Sequence, residues 1–126
     1  MPAFLLLEEF MKIKNIEIDF NFLDADNVEK FEKEAQKVVE KSEENKNTKI
    51  TYSEALRKEC EVVESFIDSV FGEGLSEKIF KGKKDLLDHI KVFQDIVDEK
   101  NSKQSELQSI YNRYAPNREQ RRKGRR

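Results

Sequence analysis

Ile16, Ile18, Phe20 and Phe22 alternate with Glu17, Asp19 and Asn21, a period of two that predicts a half-buried strand within residues 12–22. The pattern then changes period. In "LDADNVEK", Asp24 or Asp26 is a candidate N-cap, and Val28, Phe31, Ala35 and Val38 follow at helical spacings, predicting a helix over about residues 25–44. The polar, Asn-punctuated stretch 42–49 reads as a loop. Thr51 and Glu54 have the spacing of a capping box. Behind them, Leu56, Cys60, Val63, Ile67 and Val70 form one stripe, widened by Val62, Phe66 and Phe71. Gly72 can take the left-handed conformation that ends such a helix.

"FGEGLSEKIFKGKKDL" predicts a compact corner, with one or two helical turns in "LSEKIF" between the breaks at Gly72, Gly74 and Gly82. A last long helix is expected from near Lys84, with a seam of Leu86, Ile90, Phe93 and Val97 that resumes at Leu107, Tyr111 and Tyr114. Lys100 and Gln104 occupy the missing seam positions. The periodicity therefore allows one helix of about 30 residues or a break near Asn101–Ser102. Pro116 is its expected stop.

Four glycines and two prolines among 126 residues leave few tight turns and weigh against a sandwich or barrel. The fold class expected is mainly α: a small domain of three to four helices with a short N-terminal β-strand or hairpin and a disordered basic C-terminal tail. One domain is expected, over residues 11–115, followed by the tail 116–126. Residues 1–10 read as a leader, because Glu8–Glu9 can be encoded by a purine-rich run resembling a ribosome-binding site just before Met11. Met11 is then a candidate native start, against the plainer reading of a short disordered N-terminus.

Charge divides the chain. The last ten residues carry six basic side chains and one acidic, a net of +5, while the first 116 carry 18 basic and 25 acidic, a net of −7. A basic arm on an acidic body suggests an interaction tail. Its arginines, Arg118, Arg121, Arg122, Arg125 and Arg126, suit phosphate or an acidic protein surface. The apolar run Ala3–Leu7 is too short for a signal-peptide core or a membrane span. A lone cysteine cannot form an internal disulfide, which favours the reducing cytoplasm.

Catalytic chemistry finds little support. Gly72 and Gly74 follow no strand and complete no phosphate-binding motif, so a helix-ending turn explains them. His89 is the sole histidine and has no partners for a zinc site, and Cys60 sits on an apolar stripe. Carboxylates are mixed with lysines along helix faces, as a solvated surface requires. No enzyme, metal or cofactor is expected. Phe66, Phe71, Phe80 and Phe93 are candidate partner anchors, with core packing as the competing reading. Tyr111 and Tyr114 fit a helix seam better than a base-stacking platform.

Three stretches carry a resemblance: "DFNFLDADNVEKFEKEA", "FIDSVFGEGLSEKIFKGKKDLLDHIKVFQDIV" and the terminal "NREQRRKGRR". Together they cover most of residues 11–126. The sequence resembles small tail-region proteins of phages and prophages of Gram-positive bacteria, in particular the tail assembly chaperones. The resemblance implies a non-enzymatic role in the host cytoplasm: shielding the long helical tape measure protein and recruiting tail-tube subunits. It also implies a longer form made by frameshifting near the end of the gene. The partner-binding residues expected are Phe80, Phe93, Tyr111, Tyr114 and the five tail arginines, and self-association is compatible with the same surfaces. The alternative is a small nucleic-acid-binding protein that uses the arginine-rich tail.

Overall fold

The computed structural model describes residues 10–114. The chain runs β1 (Phe10–Ile13), β2 (Ile16–Asp19), α1 (Ala25–Lys46), α2 (Tyr52–Phe71), α3 (Leu75–Phe80) and α4 (Leu86–Tyr114). The fold class is the expected one, mainly helical with a two-stranded N-terminal hairpin. The expected leader and basic tail lie outside the described residues, apart from Phe10, which starts β1 opposite Asp19.

The strand prediction over residues 12–22 needs correcting at both ends. The chain reverses at Lys14 and Asn15, both at positive φ, so Met11 pairs with Ile18 and Ile13 with Ile16. Positive φ at both central residues is the geometry of a two-residue hairpin turn whose twist matches the strands. Pairing puts Met11, Ile13 and Ile18 inside, while Lys12 faces Glu17 outside. At the other end the strand stops at Asp19. Asn21 accepts from the Leu23 N–H through its side chain and from Asp24 through its carbonyl, turning the chain toward α1. Phe20 and Phe22 still point into the core, which is why their alternation reads as strand.

Asp24 caps α1 by accepting from the Asn27 N–H. The helix continues into the stretch expected to be loop, to Lys46, leaving 47–49 of that stretch in the connection to the next helix. Ser42 and Asn45 each hydrogen-bond Glu59 of α2, at 3.0 and 3.1 Å, so the neighbouring helix supplies partners for this polar turn. In α2 the Thr51 hydroxyl accepts from the Glu54 N–H, and Cys60, Val62, Val63, Phe66, Ile67 and Val70 are all buried.

Gly72 ends α2 at positive φ, but its ψ of 138° is extended rather than left-handed helical. A Cβ there meets no atom within 4 Å, so substitution acts through the backbone alone. Gly72→Ala is expected to cost about 1–3 kcal/mol in urea unfolding, whereas a cost near zero would mean that the corner relaxes freely. Asp68 fixes the corner by accepting from both the N–H and the hydroxyl of Ser76, each at 2.9 Å.

The core is a chain of aromatic rings packed edge to face. Phe22 meets Phe31 at 5.6 Å, Phe31 meets Phe66 at 5.3 Å and Phe66 meets Phe93 at 5.0 Å, joining the segment after β2 to α1, α2 and α4. Phe20 and Phe71 close the same cluster at 4.8 Å.

Candidate interaction surface on the last helix

Of the two arrangements the periodicity allows for the last helix, the structure has the unbroken one. Asp85 accepts from the N–H groups of Leu87 and Asp88, starting a helix of 29 residues. At a rise of about 1.5 Å per residue it is about 44 Å long, against about 30 Å for the 20 residues of α2.

Its buried line differs from the predicted seam. His89, Val92, Ile96 and Lys103 are buried, while Ile90 is half exposed and Phe93 and Val97 pack only partly against the core. Apolar seam reading skipped this line because a histidine and a lysine lie on it. Lys103 is held between Glu99 and Glu106, 3.8 Å from each, and Lys100 extends over the Phe31 ring, 5.8 Å from its centroid.

Beyond Lys103 the same face continues without core partners. Positions 103, 107, 110 and 114 follow Ile96 at steps that return to one side of a helix. None of residues 104–113 belongs to the core. Leu107 is 42% exposed and Tyr111 64% exposed, with Ile110 half-buried beside them. The last turns of α4 therefore present an apolar and aromatic face beyond the core.

Those of the residues expected to bind partners that are described do not form one site. Phe80 is buried and stacked on His89, with centroids 3.6 Å apart, so its ring faces the core. Phe93 packs against Phe66. Tyr111 flanks the exposed face just described, and Tyr114 is the last residue of α4. Arg118, Arg121, Arg122, Arg125 and Arg126 lie outside the described residues.

The sequence reading gave His89 no role, yet it is the centre of a buried polar cluster. Its Nδ1 lies 2.7 Å from the Asp85 carbonyl and its Nε2 lies 2.7 Å from Glu64 Oε2. A carbonyl only accepts, so Nδ1 carries a proton. Toward an ionised Glu64 the Nε2 must donate as well, so this contact is charge-assisted. Lys84 holds the other Glu64 oxygen at 2.7 Å. Burial opposes ionisation of Glu64, but the hydrogen bonds and charges of Lys84 and His89 together hold its carboxyl below the usual glutamate range. The Glu64 hydrogen bond in turn raises Lys84 above the usual lysine range.

The cluster braces α2 against the start of α4. Among the described residues no group of histidine, cysteine or acidic side chains is arranged to hold a metal ion. Burial, reinforced by the charge of Glu64, pushes the Cys60 thiol up, which disfavours the thiolate a nucleophile needs. Among the described residues no helix is long and apolar enough to cross a membrane.

Comparison with known families matches residues 14–125 to a family of unknown function, DUF6673. Neither the curated proteins nor the solved structures give a match.

Proposed function

The chain belongs to the DUF6673 family, and from that premise we propose that it is a non-enzymatic binding protein of phage tail assembly, a tail assembly chaperone or tail accessory protein. Its partners in this reading are the tape measure protein and tail-tube subunits, met in the host cytoplasm. The observation that carries the reading is the overhang of α4. A helix that leaves Leu107 exposed on its core-facing side and Tyr111 exposed beside it, past the end of its own core, is suited to pack against another helix. A long helical tape measure protein offers such helices. The resemblance of "FGEGLSEKIFKGK" and the arginine-rich end to tail assembly chaperones supplies the biological setting.

The test is co-expression of the full chain with the tape measure and tail-tube proteins of the same genome, followed by nuclease treatment and capture at low and high salt. Retention at high salt is expected, because burial of apolar surface is not screened as charge contacts are. Leu107→Asp combined with Tyr111→Asp is expected to reduce capture at least about tenfold, since charges placed in an apolar contact must be desolvated. The exposed positions leave the thermal melt unchanged. Failure to retain either partner, or equal capture by the double variant, would overturn the reading. Recovery of nucleic acid alone, lost on deleting residues 117–126, would assign the chain to phosphate binding by its tail.

A further inference from the structure

At the opposite end of α4, about 34 Å from Tyr111 along the helix, the acidic body carries a lysine-rich concavity. It encloses about 520 Å³ between the β1–β2 turn and the junction of α3 with α4. Lys14, Lys78, Lys81 and Lys83 line it with Asp85 and Asp88, over a floor that includes Ile16, Ile79 and Phe80. The lining is net positive on a body whose first 116 residues are net negative. Glu77, whose carboxylate approaches Gly82 on the same corner, reduces that surplus but is not part of the lining.

The acidic groups in the concavity already have partners. Asp88 pairs with Lys14, and Asp85 caps the start of α4. Lys14 also donates to the Ile79 carbonyl and sits over the Phe80 ring, so it acts as a brace between the hairpin and α3. By contrast, Lys78, Lys81 and Lys83 form no ion pair with another described residue. Lys81 stands at φ 54° and ψ 39°, in the left-handed region, followed by Gly82 at φ 77°. Glycine or asparagine adopts that conformation at lower cost than lysine. An exposed cation kept in a strained turn beside two others points to a use for the charge rather than for the fold.

We propose that this concavity is a docking site for an acidic segment of a partner protein, in which carboxylates meet Lys78, Lys81 and Lys83 and an apolar side chain between them rests on the half-buried Ile16. Three features favour carboxylate peptide over phosphate or nucleic acid. The lining contains no arginine, so the bidentate fork suited to phosphate is missing. The backbone N–H groups at the start of α4 are already taken by Asp85 and form no anion cradle. Phe80, the aromatic ring in the lining, has His89 stacked on it and the Lys14 ammonium over the ring, so it offers no platform to a base. The proposal is independent of the α4 overhang and stands if that reading fails.

The test measures anisotropy of a short fluorescein-labelled peptide of glutamates interspersed with leucines, titrated with the full chain at about 50 and about 500 mM salt. Binding is expected at low salt and is expected to fall as salt rises. Lys78→Glu, Lys81→Glu and Lys83→Glu combined are expected to weaken it at least about tenfold. The milder pair Lys78→Gln and Lys83→Gln is expected to weaken it severalfold, with an unchanged melt as the folding control. Replacing the leucines by serine is also expected to weaken binding severalfold. Neutralising Arg118, Arg121, Arg122, Arg125 and Arg126 to glutamine is expected to leave the corner-dependent part intact. Equal affinity in the lysine variants, or loss of binding only on neutralising the tail, would overturn the proposal. So would single-stranded DNA or inorganic phosphate that competes better than the peptide for the corner.

Discussion

Phe66→Ala is expected to lower the free energy of unfolding by about 3–5 kcal/mol, the usual cost of removing a buried aromatic ring. The ring is 2% exposed and makes edge-to-face contacts with Phe31 of α1, Phe71 of α2 and Phe93 of α4. Each such pair contributes about 0.5–1.5 kcal/mol beyond area burial. Collapse of the hole is opposed because both neighbouring helices are pinned elsewhere, α1 through Ser42 and Asn45 on Glu59, and α4 through His89 on Glu64. Small domains are stable by only about 5–15 kcal/mol, so the variant sits near the edge of folding. Urea unfolding followed by circular dichroism measures the loss. Phe66→Leu, which keeps part of the volume, is expected to cost clearly less. Tyr111→Ala, at an exposed site, is expected to stay within about 0.5 kcal/mol of the parent protein. A cost below about 1.5 kcal/mol for Phe66→Ala would mean that the aromatic chain is not the centre of the core.

Where the local signal was apolar and uninterrupted, as along α2, the stripe from Cys60 to Val70 is buried as its spacing demands. Misreadings arise where a distant partner decides. Lys14–Asn15 lacks the glycine of the usual hairpin turn, so the chain reversal was hidden inside an alternation that extended to Phe22. The polar end of α1 looked like a loop because its partner, Glu59, lies 17 residues from Ser42. On α4 the true inward line passes through His89 and Lys103, and an apolar count assigns polar residues to the solvent side. His89 did carry a signal, since it stands three residues before Val92 and seven before Ile96, in phase with both. Surplus apolar positions at Leu107 and Tyr111 were legible. That they are uncovered follows from the mismatch between the lengths of α2 and α4, which no local pattern encodes. The basic corner was half visible in "KGKK", but Lys14 reaches it from 65 residues away.

Glu64→Ala is expected to destabilise the protein by about 2–3 kcal/mol, because it strips one ring nitrogen of His89 and the ammonium of Lys84 of their acceptor at once. His89 is fully buried and stacked on Phe80, so water cannot reach the ring without opening the junction of α2, α3 and α4. Glu64→Gln separates geometry from charge. Its amide can donate to Nε2 of a neutral imidazole while its carbonyl accepts from Lys84, so about 1 kcal/mol is expected for the loss of charge assistance alone. The carboxylate also gives the parent protein a pH dependence. The Glu64 carboxyl titrates below its ordinary range in the folded protein, so its contribution is full above the unfolded glutamate value of about 4.3. That contribution is lost as pH falls from there through the lower folded value, because the unfolded chain takes up the proton first. The urea midpoint of the parent protein is therefore expected to fall on acidification below about pH 4.3. An alanine variant as stable as the glutamine one would show that α4 is held by the aromatic core alone. In that case the buried histidine would serve the fold as a flat ring beneath Phe80 rather than as the partner of a charge.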